Sequence, residues 1–372
     1  MKIGIDTFGA LHGKNGPGSY LKSLTSRIPN GECEITLFGT ELDRYTYSAE
    51  NDEATYKSVP VRDTKQAFRF WHYWQAASFC KKQAFDTVFF PCASKLLPKK
   101  SPCRSVAVVF DVLSARAHKI SPWTRHILKA LKSIDIIIAP SEYIKQDLLS
   151  LGFDLEKIEV IYNGIDFSLF FPQSSETKKN TDIVDIQPFA IKRPYFIYPT
   201  RIQSSEKKHI ELIRAFNLFK ISTGLPHRLV LAGEPGYDIR KIQTEALSSY
   251  FSSDIFFTGH FEQKNLAELY RYADGCIFPA EGEGVALPVI EAMASGIPIA
   301  ATKSGAVPEM AGTAAIYFDS NNIVDIAIAI ERLATEKDLR KKLLSAGLEQ
   351  SKKFDWDITA KKTLEILKNG HD

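Results

Sequence analysis

The stretch FPAEGEGVALPVIEAMASGIPIAATKSGAVPE, residues 278–309, decides the fold. The apolar run from Cys276 to Pro279 predicts a buried strand, and a polar loop with two glycines follows it. Pro288 is well placed as the first residue of a helix, where its missing N–H is not needed, and Gly296 fits the helix end. Ile297 to Ala301 predicts a second buried strand. A strand, a helix and a strand in so few residues indicate a βαβ unit with a parallel sheet.

The junction between this loop and the helix has the features of a phosphate site. The free N–H groups and the positive dipole end of a helix N-terminus attract anions. Glu283 stands in the loop, Glu291 is predicted in the first turn of the helix, and both carboxylates can bind the hydroxyls of a sugar or a ribose. Acids favour helix N-termini in any case, so the pair alone leaves a purely structural explanation equally open.

The string EGVALPVIEAMASGIP, residues 283–298, resembles the signature E-G-x-x-L-P-x-x-E-A-M-A-x-G-x-P of the retaining glycosyltransferases of family 4. The resemblance implies the GT-B fold, an α/β architecture with two Rossmann-like domains whose parallel sheets face a central cleft. In that family the first glutamate, here Glu283, faces the donor sugar, and the second, here Glu291, binds the ribose. Diphosphate-binding backbone is then expected from four consecutive residues: Gly284, Val285, Ala286 and Leu287. Ala286 replaces a glycine that is common in the family, and a small residue is expected to fit there.

Three basic residues precede this stretch. Arg201 follows the apolar run YFIYPT, and Lys207 and Lys208 lie in the loop before the helical sequence HIELIRAFNLFK. Family members have an arginine and a lysine at these places, both on the donor diphosphate. The resemblance therefore assigns these roles to Arg201 and Lys208, or to Lys207 if the loop has a different register. Two fixed cations offset two phosphate charges, so neither a metal nor another cofactor is expected. An ordinary solvated lysine pair is the alternative explanation.

The resemblance also places the nucleotide base at His260 and Phe261, after the strand DIFFTG. In the N-terminal half, the strand KIGID is followed by a glycine-rich turn containing Gly16, Pro17 and Gly18, with a helix predicted from residue 19. This turn resembles the family's loop that lines the cleft. By themselves these glycines are a weak signal for phosphate binding, because glycines often only make a turn.

The dipeptide Phe110-Asp111 ends the apolar strand SVAVVFDV, residues 105–112. The family commonly has His-Asp here, with the histidine on the donor sugar. A phenylalanine ring has no hydrogen-bonding atoms, so this departure opens the alternative of a catalytically impaired protein that binds nucleotide sugars. Asp111 is predicted to face the cleft as a catalytic carboxylate together with Glu283, or else to cap the following turn.

The length of 372 residues predicts two domains. We expect an acceptor-side Rossmann-like domain over 1–172, a polar linker over 173–193 and a nucleotide-sugar-binding Rossmann-like domain over 194–354. The end of the chain, residues 355–372, resembles the family's terminal helix, which often crosses back to the first domain.

No metal site is predicted. The five cysteines form no C-x-x-C pair and no cluster with histidine at metal spacing. Residues 355–357, D-W-D, mimic a metal motif of other sugar transferases, but they lie at a helix start, where acids act as caps. Scattered thiols are typical of a reducing compartment, and the start MKIGIDTFGA lacks the apolar core of a signal peptide. We therefore expect a cytoplasmic protein.

The net charge of +3 is unevenly distributed. Residues 65–132 carry thirteen Lys or Arg against two aspartates, with aromatic residues interleaved. This pattern fits either solvated faces with core aromatics, or a surface for anionic lipid on the inner face of the plasma membrane or for a lipid-phosphate acceptor. No nucleic-acid motif accompanies it, so no nucleic-acid partner is expected.

The resemblance covers nearly the whole chain and is sharpest from Tyr195 onward. It implies a metal-independent, retaining hexosyltransferase that uses GDP- or UDP-hexose, with mannose favoured. The acceptor would be a hydroxyl of a glycan or lipid-linked glycan in the synthesis of O-antigen, capsule or exopolysaccharide. A Rossmann dehydrogenase would need G-x-G-x-x-G where this chain has GKNGPG, and a GT-B epimerase would lack the E-A-M-A-S-G context.

Overall fold

The computed structural model divides into two compact units, residues 1–164 with 355–372, and residues 165–354. It describes the following residues: 1–28, 31, 33–47, 54–117, 121–173, 182–186, 189–259 and 262–369. Each unit is built on a parallel sheet with helices between the strands. The predicted α/β class with two Rossmann-like domains is therefore confirmed.

The first unit contains a seven-stranded sheet. Its strands are β1 (Lys2–Asp6), β2 (Glu34–Gly39), β3 (Thr55–Ser58), β4 (Thr87–Phe90), β5 (Arg104–Val108), β6 (Ile136–Ala139) and β7 (Ile158–Val160). Its helices up to residue 164 are α1 (Gly16–Thr25), α2 (Glu41–Tyr47), α3 (Lys65–Trp74), α4 (Ala76–Lys82), α5 (Ser114–Ala117), α6 (Pro122–Leu131) and α7 (Glu142–Ser150). All neighbours pair in parallel, in the order β3-β2-β1-β4-β5-β6-β7.

Both faces of this sheet are buried. Along β4, Val88 and Phe90 belong to one core cluster and Phe89 to the other, because alternate residues of a strand point to opposite faces. The chain leaves β1 toward β2 on one side and later returns to β4 on the other. The gap between β1 and β4 is thus a topological switch point, where α/β sheets bind ligands beyond the carboxyl ends of their strands.

The second unit repeats this plan. Its strands are β8 (Ile183–Ile186), β9 (Phe189–Lys192), β10 (Tyr195–Pro199), β11 (Arg228–Ala232), β12 (Ile255–Gly259), β13 (Gly275–Phe278), β14 (Ile299–Thr302) and β15 (Ala315–Phe318). Its helices are α8 (His209–Thr223), α9 (Ile239–Leu247), α10 (Gln263–Tyr272), α11 (Leu287–Ala294), α12 (Val307–Ala311), α13 (Ile323–Thr335) and α14 (Lys337–Ser351). Among the described residues of both units, short 3₁₀ helices span Leu11–Gly13, Leu155–Lys157, Ser205–Lys207 and Ser252–Asp254.

The six parallel strands of the second unit run in the order β12-β11-β10-β13-β14-β15, so its switch point lies between β10 and β13. The predicted strand–helix–strand unit is confirmed as β13, α11 and β14, with Cys276 paired to Ile299. Helix α11 ends at Ala294 with Ser295 as its C-cap, and Gly296 follows with a φ of +68°, which suits a glycine.

The boundary between the units differs from the prediction at residue 172. The Ile165 N–H donates to the Phe354 carbonyl over 2.9 Å, and Phe170 is fully buried against the ring of Tyr270. Burial of this apolar side chain joins the segment after residue 164 to the second unit. Within the predicted linker, β8 and β9 form an antiparallel hairpin, while residues 174–181, 187 and 188 lie outside the described residues.

The last helix, α15 (Trp356–Lys368), belongs to the first unit. Its Trp356 ring lies 5.6 Å from the Tyr20 ring, and Arg104 Nη1 donates to the Ile366 carbonyl over 2.6 Å. The side chain of Asp355 accepts the N–H of Asp357 at 2.7 Å. The D-W-D sequence is therefore a helix cap, as predicted.

Candidate active site

The predicted donor residues of the second unit gather at its switch point. They lie mainly in two loops, residues 200–208 after β10 and 279–286 after β13, at neighbouring carboxyl ends of the sheet. Lys207 Nζ pairs with Glu283 Oε1, which joins the two loops directly. This is the place where the topology of a doubly wound sheet favours a ligand.

Helix α11 begins at Leu287, one residue earlier than predicted, and Pro288 is its second residue. Ala286 stands at the N-cap with a φ of +50°, in the left-handed region that disfavours a Cβ atom. The N–H groups of Val285, Ala286 and Leu287 have no acceptor among the described residues. Three donors and the positive dipole end are therefore open to an anion, as the sequence predicted.

Residues 304–306 pack closely against the loop that carries Glu283. The Ala306 N–H donates to the Glu283 carbonyl over 2.8 Å. A Cβ atom at Gly305 would lie 2.7 Å from the backbone N and O of Glu283, so only glycine allows this close approach. The Glu283 side chain is 23% exposed, which leaves its carboxylate accessible beside Lys207.

Lys208 is held by a second carboxylate, Glu281, that sequence analysis did not select. Lys208 Nζ lies 3.3 Å from Glu281 Oε2 and 2.7 Å from Asn321 Oδ1. The side chains of Ser320 and Asn321 donate to Glu281 Oε1 over 2.6 and 2.8 Å. The hydrogen bond from Ser320, together with the charge of Lys208, lowers the pKa of Glu281. Ser320 and Asn321 come from the turn after β15, and nothing in their local sequence points to this role.

Arg201 differs from the two lysines. It follows β10, is exposed, and has no ion-pair partner among the described residues. Lys207 and Lys208 are each already neutralised by a glutamate. A diphosphate could therefore pair with the Arg201 guanidinium directly. To pair with Lys207 or Lys208, it would have to displace the glutamate carboxylates that are bound to them.

Glu291 lies in the second turn of α11, not in the first as predicted, because the helix begins at Leu287. Its Oε2 lies 2.8 Å from the hydroxyl of the fully buried Tyr270, which can donate to it. Burial raises the pKa of Glu291 to about 7, and the Tyr270 hydrogen bond opposes the rise. Tyr270 comes from the end of α10, and sequence analysis missed it.

The predicted base-binding residues His260 and Phe261 lie outside the described residues. Within the described ranges, no group of three His, Cys, Asp or Glu side chains could hold a metal ion. No helix in that part of the chain is long and apolar enough to cross a membrane.

In the first unit, Asp111 follows β5 and accepts a hydrogen bond from Ser94 Oγ. The ring of Phe110 packs edge-on against Tyr20, with the centroids 5.2 Å apart. The N–H groups of Leu113 and Ser114, at the start of α5, donate to Asp147. Asp147 therefore caps the start of α5, the structural role considered for Asp111.

The predicted glycine turn at residues 16–18 is instead the first turn of α1, which begins at Gly16. Asn15 is the N-cap, and its Oδ1 accepts the Gly18 N–H over 2.8 Å. A Cβ atom on Gly18 would lie 2.1 Å from the Ala10 carbonyl oxygen. Gly18 is thus required for close packing of the helix start against the preceding loop, and Gly16 is exposed.

Two family models match this chain. The model described as "Glycosyltransferase Family 4" matches residues 14–169, and "Glycosyl transferases group 1" matches residues 180–350. The chain belongs to glycosyltransferase family 4. In this family 4 glycosyltransferase the first model covers most of the first unit, and the second model covers most of the second unit.

Several relatives are similar in sequence. O-antigen chain mannosyltransferase B of Escherichia coli is 26% identical over 157 residues, 42% of this chain and 41% of the relative. Sulfoquinovosyl transferase SQD2 of Arabidopsis thaliana is 25% identical over 234 residues, 60% and 42% of the two chains. D-inositol 3-phosphate glycosyltransferase of Corynebacterium kroppenstedtii is 24% identical over 283 residues, which are 73% of this chain and 62% of the relative. The matches thus span between 41% and 62% of these relatives' own length.

Solved structures resemble the whole chain. Anabaena Alr3699/HepE, in complex with UDP and glucose, gives a TM-score of 0.74 at 16% identity, over 99% of both chains. WaaG, a glycosyltransferase involved in lipopolysaccharide biosynthesis, gives 0.72 at 14% identity over 100% of both chains. At these identities the likeness shows the GT-B fold alone.

Proposed function

We propose that this chain is a retaining hexosyltransferase. It moves a hexose, with mannose favoured, from a GDP- or UDP-sugar to a hydroxyl of a glycan or lipid-linked glycan. Its pathway is the synthesis of a surface polysaccharide such as O-antigen, capsule or exopolysaccharide. It works in the cytoplasm, at the inner face of the plasma membrane.

One observation carries this proposal: the switch point of the second unit combines free helix N–H groups with three cations. The amides at the start of α11 and the exposed Arg201 are open to phosphate oxygens, and Lys207 and Lys208 stand beside them. Such a group suits the two charges of a nucleoside diphosphate. Mannose is supported by the name of the Escherichia coli relative, and a uridine nucleotide by the HepE complex.

The mechanism that we propose is dissociative. The anomeric C–O bond to the diphosphate breaks, and the nucleoside diphosphate leaves with the electron pair. The hydroxyl oxygen of the acceptor then bonds to the oxocarbenium-like carbon from the same face, and its proton passes to an oxygen of the departing diphosphate. Arg201, Lys208 and the α11 N–H groups stabilise the leaving diphosphate, and Glu283 stabilises the positive carbon.

Metal independence is part of this proposal, because fixed cations and a helix N-terminus replace the metal. Turnover should therefore persist in EDTA. Loss of turnover on chelation that manganese restores would contradict this part of the mechanism.

A second candidate is a nucleotide-sugar-binding protein without efficient turnover. Phe110 supports it, because an apolar ring packed against Tyr20 stands where the family commonly has histidine. Donor binding without acceptor-dependent or hydrolytic release of nucleoside diphosphate would favour this candidate over the transferase.

The deciding experiment is a thermal-shift screen of the full chain against GDP-, UDP- and ADP-sugars, since a ligand that binds the native state raises its melting temperature. Arg201→Gln should reduce the shift, because a charge-assisted hydrogen bond contributes about 1.5–3 kcal/mol. Arg240→Gln is the matched control, because Arg240 is also exposed in the second unit but lies on α9. A shift that Arg201→Gln leaves intact would rule out this diphosphate site.

A further inference from the structure

A cavity of about 670 Å³ lies in the first unit, at its own switch point. Gly9 and Leu11 line it from the loop after β1, and Ser94, Lys95 and Leu96 line it from the loop after β4. β1 and β4 are the neighbours between which the strand order reverses. The cavity therefore occupies the position where an α/β sheet binds ligands, and its volume is typical of small-molecule sites.

The walls of this cavity are largely apolar. The apolar part of the lining comes mostly from the loops after β4 and β5 and from α3 and α6: Phe68, Leu96, Leu113, Trp123, Ile127 and Leu128. Such walls gain free energy when they cover a hydrocarbon chain, about 0.8 kcal/mol for each buried CH₂ group. A purely polar sugar would not bury the apolar surface of these walls against other apolar groups.

The charged lining residues are mostly basic. The lining contains three basic side chains, those of Lys65, Arg69 and Lys95, and one carboxylate, that of Asp63. Asp63 Oδ2 lies 3.6 Å from His12 Nε2. The Arg69 guanidinium lies over the Trp123 ring at 5.1 Å, and its buried Nε has no hydrogen-bond partner among the described residues. A buried donor without a partner is unfavourable, so this N–H indicates that an acceptor oxygen belongs here.

Two helices also begin at the cavity. Lys65 is the first residue of α3, and Trp123 is the second residue of α6. Each helix has ten residues, and neither has an acid in its first turn. Their positive dipole ends add to the charges of the three basic side chains.

We propose that this cavity binds the lipid-phosphate part of a lipid-linked glycan acceptor, in which the glycan that carries the reacting hydroxyl is joined through phosphate to an apolar alcohol. The phosphate lies against Arg69, Lys65 and Lys95, and the hydrocarbon chain lies among the apolar walls. The inference rests on the proposed transferase function and deepens it by naming the class of acceptor. A single amphiphile is favoured over a bilayer surface, because an extended lipid sheet cannot enter a cavity.

The test is titration of the full chain with dodecyl phosphate, below its micelle concentration, followed by isothermal calorimetry. Inorganic phosphate and dodecyl maltoside are the comparison ligands. Dodecyl phosphate should bind saturably, and each comparison ligand should bind at least about tenfold more weakly, because each lacks the chain or the charge. Arg69→Gln should weaken dodecyl phosphate binding about tenfold.

Arg125→Gln is the matched control, because Arg125 is exposed on α6 and does not line the cavity. If Arg69→Gln fails to fold by circular dichroism, the exposed Lys95→Gln carries the same test. Equal binding of dodecyl maltoside, or of phosphate alone, would overturn the proposal. Binding only to phosphatidylglycerol vesicles would also overturn it, and would assign the basic surface to a membrane.

A parallel titration with UDP- and GDP-mannose separates this inference from the proposed function. Nucleotide-sugar binding without dodecyl phosphate binding would overturn the acceptor site and leave the transferase proposal standing. Dodecyl phosphate binding that Arg69→Gln weakens, without any nucleotide-sugar binding, would contradict the transferase proposal while supporting the cavity as a lipid-phosphate site.

Discussion

Glu283 and Glu291 occupy different surroundings although they belong to the same loop–helix junction. Glu283 is accessible and paired with Lys207, whereas Glu291 is half-buried beside the Tyr270 hydroxyl. A carboxylate near the reacting sugar carbon acts on the charge that develops there, and a carboxylate on the ribose binds the donor throughout. The two residues should therefore affect different kinetic constants.

Glu283→Gln should mainly lower kcat, because it removes an interaction that strengthens in the transition state. Glu291→Gln should mainly raise the donor KM, because it removes binding common to ground and transition states. Both changes keep side-chain size, so each variant controls for the packing effect of the other. Steady-state kinetics with the donor found by the thermal-shift screen would measure kcat and the donor KM of each variant. Matching changes in the two variants would contradict the division of roles.

Glu291 also predicts a pH dependence. Burial raises its pKa from 4.5 to about 7, so the native state favours the protonated form. Its contribution to stability is complete below pH 4.5 and is lost as the pH rises through 7. Glu291→Gln stays neutral, so its melting temperature relative to the unsubstituted chain should increase from pH 5 to pH 8. A difference that is constant over this range would show that burial does not perturb this carboxyl.

At the scale of the element, the start of α11 is the feature that sequence analysis misplaced. Ala286 adopts a left-handed conformation at the N-cap, which turns the loop sharply into the helix. An alanine in this region is disfavoured by roughly 1–2 kcal/mol, whereas a glycine adopts it freely. The glycine that is common in the family at this place suits the conformation better than the alanine does.

Ala286→Gly should therefore raise the free energy of unfolding by up to about 1 kcal/mol, after the greater chain entropy of glycine is subtracted. Ala286→Val should lower it by more than about 1 kcal/mol, because Ala286 is only 2% exposed and a branched side chain fits neither the space nor the φ angle. Chemical denaturation measures both changes.

Ala292→Gly in the middle of α11 is the matched control for this pair. There the backbone is helical, so glycine should lower the free energy of unfolding by about 1 kcal/mol. The same substitution thus has opposite signs at positions 286 and 292. A loss of stability at both positions would contradict the strain assigned to Ala286.

At the scale of the whole molecule, the first unit is built from two separate parts of the chain, residues 1–164 and 355–372. Helix α15 comes last in the sequence but completes the core of the first unit, where Trp356, Ala360, Leu364 and Leu367 are buried. The close approach at Gly164, where a Cβ atom would lie 2.3 Å from the Trp356 backbone N, shows how tightly this helix start is packed.

Trp356→Ala should destabilise the first unit by about 3–5 kcal/mol, the usual effect of deleting a large buried aromatic side chain. Hydrogen exchange should then accelerate in β1 and β5 but not in β12. Asp357→Asn is the matched control, because its surface ion pair with Arg27 contributes at most about 1 kcal/mol. Equal acceleration in β12 would mean that α15 does not stabilise the first unit selectively.

Local sequence alone determined much of this protein. The two apolar runs around a helical segment predicted a parallel βαβ unit, the length and the resemblance predicted two such units, and the cap at Asp355 appears where it was expected. The stretch from Cys276 to Gly296 predicted the strand–loop–helix junction and the open N–H groups that the structure shows there. These features depend on residues only a few positions apart, and backbone propensity and capping act over that distance.

The tertiary structure alone decided which side chains meet. Lys207 and Glu283 lie 76 positions apart, and Glu281 and Asn321 lie 40 apart, yet each pair is in contact. Parallel pairing of β10 with β13, and of β14 with β15, sets their loops side by side at one edge of the sheet. The same holds for Tyr270 beside Glu291 and for Phe170 at the unit boundary. Such contacts depend on strand order and burial, and the residues that make them carry no local signal of their distant partners.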